Sequence, residues 1–150
     1  MRKDGSDSGE RIKAGTGMEK RTADDQINRR RVGEAYEKRA GAFLEQNGYR
    51  ILEYNFRCRN GEIDIVARDG SVLTFVEVKY RSSPARFDPL SAVDIKKQRV
   101  ICRCADFYML RYGYPESCPC RFDVVAMAGE EIRLVRNAFD YIPAGRRARK

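Results

Sequence analysis

Gly61-Glu62-Ile63-Asp64 and, thirteen positions beyond Asp64, Glu77-Val78-Lys79 are the residues of this chain whose types and spacing could do chemistry. Both pieces sit in apolar runs that read as β-strands. Ile63, Ile65 and Val66 surround Asp64, and Phe75, Val76 and Val78 surround Glu77. A carboxylate inside an apolar strand is costly to bury unless a partner compensates it. A divalent cation held between the two strands would do so, and a lysine two residues beyond the second carboxylate completes what metal-dependent phosphodiester hydrolysis needs. A Glu-x-Lys on a strand is also a common solvent-exposed ion pair. The apolar setting of Phe75-Val76-Glu77-Val78 and the basic charge of the whole chain favour the metal-site reading.

The composition narrows the alternatives. The chain has no histidine, which removes His-based triads, His-containing zinc sites and imidazole acid–base catalysis. Five cysteines, Cys58, Cys102, Cys104, Cys118 and Cys120, form two Cys-x-Cys pairs. Cys102 and Cys104 fall in a helical pattern, where side chains two apart diverge by about 200°, a poor start for a tetrahedral ion. Core or incidental thiols are the better account. A net charge of +8, from 30 Lys+Arg against 22 Asp+Glu, points to a polyanionic partner, with nucleic acid ahead of an acidic membrane surface. No run approaches the roughly 20 apolar residues of a membrane span, and no apolar stretch follows the N-terminal charges as in a secretory signal. A cytoplasmic protein is expected.

The elements that must position these residues follow from periodicity. Residues 1–31 are polar and basic, read as a disordered tail; residues 143–150 form a second basic tail, and 32–142 the folded domain. Residues 32–47 read as a helix, with Tyr36, Ala40, Phe43 and Leu44 at 3–4 spacing and Asn47-Gly48 as its stop. Strands are expected over 49–56, 62–67 and 72–80, joined at Asn60-Gly61 and Asp69-Gly70. A loop over 82–88 precedes a helix over about 91–112, and short strands follow at 121–127 and 132–135. The order α-β-β-β-α-β-β predicts an α/β fold, a central mixed five-stranded sheet flanked by helices. Strand alternation puts Glu77 and Lys79 on one face with Leu73 and Phe75, and Asp64 on one face with Glu62 and Val66.

A family resemblance adds to this reading. Gly33-x-x-x-Glu37-x-x-Ala40, Gly48-Tyr49-Arg50-Ile51-Leu52, Gly61-Glu62-Ile63-Asp64, Phe75-Val76-Glu77-Val78-Lys79-x-Arg81, Lys97-Gln98 and Arg121-Phe122-Asp123-Val124-Val125 occur in order over about residues 33–140. In these the chain resembles the UPF0102 (YraN-like) family, related to archaeal Holliday-junction resolvases and restriction-endonuclease-like nucleases. The resemblance implies a restriction-endonuclease-like core with catalytic Glu37, Asp64, Glu77 and Lys79. Asp64, Glu77 and Glu37 would be the ligands of Mg2+ or Mn2+.

Read without the resemblance, Glu37 is equally a helix-surface carboxylate, and Glu62 either tunes the site or ends its strand. Arg81, Lys97 and Arg121 are candidates for phosphate contacts. Each could instead be a solvated basic side chain, and Arg121 could pair internally with Asp123. Tyr36 and Tyr80 could stack on bases, with packing the commoner role for tyrosines in such places. The leading expectation is a metal-dependent endonuclease acting on DNA, including branched or structured DNA. The alternative is a non-catalytic nucleic-acid-binding adaptor with a nuclease-like fold. Related resolvases act as dimers on junctions with two symmetric cut sites, so the resemblance admits a homodimer, although no dimer face is legible in this chain.

Overall fold

The computed structural model describes residues 22–81, 88 and 93–145. Its elements are α1 (Ala23–Gln46), β1 (Tyr49–Cys58), β2 (Gly61–Asp69), β3 (Val72–Arg81), α2 (Ile95–Arg111), β4 (Cys120–Ala128) and β5 (Glu131–Phe139). The five strands form one sheet in chain order. The β1–β2, β2–β3 and β4–β5 pairs are antiparallel, and β3–β4 is parallel. A parallel neighbour requires a long crossover, and α2 is that crossover. The expected mixed five-stranded α/β architecture is therefore present.

The alternation of β4 shows how the layers are arranged. Val125 and Met127 pack with Ala40 and Leu44 of α1, together with Tyr49, Ile65, Ala67 and Val76. Their neighbours Val124 and Ala126 pack with Ile101, Cys102, Cys104, Ala105 and Tyr108 of α2, together with Phe56, Ile63, Val66, Leu73 and Phe75. Successive residues of a strand face opposite sides of the sheet, so one helix covers each face. Cys102 and Cys104 are both buried on α2, in the core role expected of them.

Helix α1 begins at Ala23, nine residues before the expected start near residue 32. Part of the stretch read as a disordered tail, 23–31, is thus helical, while residues 1–21 lie outside the described residues. The reason is local. Thr22 accepts the Asp25 amide, and the Asp25 carboxylate accepts the Thr22 amide, a reciprocal capping box that nucleates the first turn. Asp24 and Asp25 also sit favourably at the positive end of the helix dipole. Periodicity could not reveal this segment, because its exposed half buries nothing; α1 buries only Ala40, Gly41 and Leu44. Gly48, with φ of 86°, ends the helix as Asn47-Gly48 suggested. Helix α2 begins at Ile95 rather than near residue 91, where Asp94 caps it by accepting the Lys97 amide at 2.8 Å.

The β1–β2 register shifts between Ile51 and Glu53, and the β4–β5 register shifts between Phe122 and Val124, across from Asn137. Asn55 and Asn137 have φ of 53° and 54°, a left-handed conformation that asparagine tolerates better than other non-glycine residues. Near Asn55 the β1–β2 pairing runs from Tyr54↔Ile65 to Phe56↔Ile63. Across β2, Ile63 and Val66 both reach the α2-side core. Simple alternation would place them on opposite faces, so the strand is irregular around Asp64. Paired positions between β2 and β3 end at Ile65↔Val76, and beyond them the strands are joined through the Asp64 side chain.

Candidate active site

Asp64 lies on β2 where its pairing with β3 stops. Its Oδ2 accepts the Val78 amide at 2.9 Å. That bond places the Asp64 carboxylate against the strand position between Glu77 and Lys79. Asp64 and Glu77 are 9% and 5% exposed, so two carboxyl groups are buried side by side. Burial, and then the charge of Glu77, push the Asp64 carboxyl from its ordinary 3.8 up to about 7. The Val78 amide works in the opposite direction, as a donor to a carboxylate must.

The compensating charges gather on Glu77. Its Oε1 is 3.3 Å from Lys79 Nζ and 3.7 Å from Lys97 Nζ. Lys79 shares the Glu77 strand face, as the spacing required, and Lys97 descends from the first turn of α2. A cation there opposes the helix dipole. The position is locally unfavourable, and Glu77 is the group that offsets it. The other oxygen, Glu77 Oε2, is fully buried and accepts from no amide, hydroxyl or cation among the described residues, which leaves a proton shared with Asp64 as its source of a hydrogen bond. An unsatisfied buried acceptor costs about 1–3 kcal/mol, more when it carries charge.

Glu37 reaches toward this end of the sheet from α1, on the other face. Its Oε2 accepts from Asn55 Nδ2 at 2.5 Å. Burial is the main reason its carboxyl is raised, with the charge of Asp64 a lesser contribution. Glu37 is therefore close enough to feel Asp64 but does not converge with it. Among the described residues no set of three or more His, Cys, Asp or Glu side chains is arranged to hold a metal ion. The three-carboxylate set expected from the resemblance is here a close pair, Asp64 and Glu77, with Glu37 held apart by Asn55.

Asn55 is the site residue that sequence reasoning missed. An asparagine, a poor strand former, between the aromatic residues Tyr54 and Phe56 was its available signal. Glu62 pairs with Arg57 across the hairpin at 3.3 Å, on exposed side chains, and so ends its strand at the surface. Tyr36 and Tyr80, each next in sequence to a site residue, stack on one another with ring centroids 3.9 Å apart.

The three basic candidates separate. Lys97 belongs to the carboxylate pair itself. Arg81 is exposed at the end of β3. Arg121 lies elsewhere, in the internal pairing that was its alternative. Its Nε donates to Asp123 Oδ1 at 2.8 Å and its terminal nitrogen to Asp69 Oδ2 at 2.7 Å. Asp123, fully buried, also accepts from Tyr49 at 2.8 Å and from the Asn137 amide at 2.9 Å. These partners raise the Arg121 guanidinium further, and burial together with Asp123 pushes the Tyr49 hydroxyl up to about 12. A closed network of this kind holds β1, β2, β4 and β5 together and leaves Arg121 committed to the fold.

The fold and the site define an α/β protein whose central strands carry a buried carboxylate pair neutralised by two lysines, one from the sheet and one from the crossover helix. The model of the uncharacterised protein family UPF0102 matches residues 36–127, which span every residue of that centre. The chain belongs to UPF0102. It is 52% identical over 114 residues to a UPF0102 protein of Lachnoclostridium phytofermentans, covering 76% of this chain and 97% of that protein. A UPF0102 protein of Symbiobacterium thermophilum is 50% identical over 115 residues, with 73% and 97% covered. One from Klebsiella pneumoniae is 40% identical over 111 residues, with 73% and 87% covered.

Proposed function

We propose that this UPF0102 protein is a metal-dependent endonuclease that hydrolyses phosphodiester bonds in DNA, branched or otherwise structured DNA included. One observation carries the reading: Asp64 and Glu77 are buried side by side, and one Glu77 oxygen accepts from no amide, hydroxyl or cation among the described residues. That arrangement is unfavourable for an empty structural core and suits an oxygen-ligated Mg2+ or Mn2+. Asp64 and Glu77 would hold the ion, with water and substrate phosphate filling the remaining positions. When bound, it would supply Lewis-acid polarisation of the phosphate.

The chain's own residues do the remaining work. Lys79 and Lys97 bring positive charge to the Glu77 edge of the site, where charge develops on the phosphate oxygens as water adds to phosphorus and an ester P–O bond breaks. Lys79 also orients the attacking water. Asn55 holds Glu37 on the α1 side, outside the pair but near enough to feel the Asp64 charge, where its carboxylate can accept a proton from solvent. The net charge of +8 favours a polyanionic substrate.

Nicking of supercoiled plasmid and of a synthetic four-way junction in Mg2+ or Mn2+ tests the reading. Wild type is expected to cut, and Glu77→Gln and Lys79→Ala to lose at least about a hundredfold in rate, the usual scale for removing a transition-state contact. Equal cutting by wild type and a Glu77→Ala, Lys79→Ala double variant would discard the site. The second reading, a nucleic-acid-binding adaptor, is favoured by the convergence of two rather than three carboxylates among the described residues. Salt-dependent DNA binding with no cutting in either metal would select it.

A further inference from the structure

Cys58 ends β1 at the β1–β2 hairpin, paired with Gly61, and Cys104 sits in the middle of α2. Their sulfurs are 3.0 Å apart, the Cys58 thiol donating to Cys104 Sγ, although 46 residues separate them in the chain. The surrounding packing holds this contact in place. Lys97, Val100 and Cys104 recur at helical spacing and share one face of α2. A Cβ on Gly61 would stand 2.5 Å from Val100 Cγ1 and 3.7 Å from Cys104 Sγ, so the hairpin end lies directly on that face. Lys97, from the same face, reaches Glu77, and Asp64 is three residues along β2 from Gly61.

We infer that Cys58 and Cys104 are a redox pair, which a peroxide joins in a disulfide that ties the β1–β2 hairpin to α2, and which a dithiol reductant reopens. The inference is independent of the nuclease reading. Disulfide sulfurs lie about 2.05 Å apart, so these two need to approach by only about 1 Å. Cys58 is half-buried and Cys104 buried, which orders the steps. Burial, and then Cys58 itself, push the Cys104 thiol up to about 12, so Cys58 is the thiol that meets the oxidant. Its sulfur attacks one peroxide oxygen, the O–O bond breaks, and Cys58 becomes a sulfenic acid as one water leaves. Cys104 Sγ then attacks Cys58 Sγ. The S–S bond forms, the S–O bond breaks, and the hydroxyl leaves as a second water with the Cys104 proton. Two thiols lose two electrons, and one peroxide is reduced to two waters. Cys118 and Cys120 also interact, but a bridge between residues two apart would constrain almost no chain.

The test needs neither metal nor DNA. The full chain is reduced, desalted, exposed to one equivalent of hydrogen peroxide, alkylated and digested without reductant. Mass spectrometry is expected to find Cys58 joined to Cys104, with the other three of the five cysteines alkylated. Dithiothreitol should return all five as free thiols. Because the bridge closes a long loop in a geometry the fold already holds, the oxidised chain should melt roughly 5 °C or more above the reduced one. Cys58→Ser should abolish both the linked peptide and the rise in melting temperature. A Cys118→Ser, Cys120→Ser double variant should keep both.

Five alkylated cysteines after peroxide overturn the inference, as does Cys58 carried to sulfinic acid with no linked peptide. A bridge that joins Cys118 to Cys120, or two copies of the chain, overturns it as well. So does a Cys58–Cys104 bridge that leaves the melting temperature unchanged or lowers it, since the fold would then not be built for it. Peptide mapping of the wild type requires no substitution, so the outcome stands even where a variant folds poorly.

Discussion

Asp64 is tied to the strand that carries its partner: its Oδ2 accepts the amide of Val78, the residue between Glu77 and Lys79, at 2.9 Å. This side-chain bond stands where the regular β2–β3 pairing has stopped after Ile65↔Val76. The divergence of the two strands exposes an amide and opens the space for two carboxyl groups. The Asp64 bond then keeps that opening from widening.

The pH dependence of stability should show the strain of this pair. Asp64 is raised from 3.8 to about 7 in the folded chain. Between those values the folded protein keeps a proton that the unfolded chain has released, so stability falls as pH rises from about 4 and levels off above about 7. At about 1.4 kcal/mol per pKa unit, the window holds a few kcal/mol at most. Asp64→Asn removes this titration. It should raise the metal-free melting temperature at pH 8 and change it little at pH 4. A variant no more stable than wild type at pH 8 would contradict the account.

Cation binding should reverse the same cost. Mn2+ added at pH 8 is expected to raise the melting temperature of wild type by on the order of several degrees at concentrations well above its Kd. Asp64→Asn and Glu77→Gln should each abolish the rise, whereas Glu37→Gln should leave most of it, because Glu37 is engaged with Asn55. The check is a calorimetric scan with and without the ion. If Glu37→Gln removes the shift as completely as Glu77→Gln, the two-carboxylate assignment is wrong.

Asn55 combines backbone and side-chain roles that substitutions can separate. Asn55→Ala loses the bond to Glu37 and strains a residue at φ 53°, at a cost of roughly 1–3 kcal/mol. Asn55→Gly relieves the backbone strain while still freeing Glu37. Urea denaturation should therefore rank wild type and Gly above Ala. Nicking assays should show Gly and Ala similarly impaired if Glu37 must be held in place. Full activity of the Gly variant would mean that Glu37 needs no anchor.

Arg121 should behave as a structural residue. Arg121→Ala leaves Asp123, fully buried, and Asp69 without their main cation, and breaking such a pair costs about 3–5 kcal/mol. The salt dependence of DNA binding, measured where the variant is still folded, should keep its wild-type slope. A slope reduced by about one unit would return Arg121 to the phosphate contacts.

Much of this fold was legible because burial leaves a mark on sequence. Residues 72–80 and 121–127 read as strands, and Asn47-Gly48 and Asn60-Gly61 as chain reversals. The start of α1 left a fainter mark. Its first turns bury nothing, so the helix depends on a two-residue cap at Thr22 and Asp25 rather than on apolar periodicity.

By itself, the sequence determined the chemical types available: no imidazole, two carboxylates in apolar strands, Glu77 and Lys79 on one face, and a basic surface. These follow from composition and from the two-residue repeat of a strand, which are local. Only the tertiary structure decided that Lys97 joins Glu77, that Asn55 holds Glu37 aside, and that Arg121 turns inward to Asp69 and Asp123. Each of those outcomes depends on strand register, on an irregularity at Asn55 and on the angle of a crossover helix. Such long-range geometry is set by the packing of the whole core, and no local pattern encodes it.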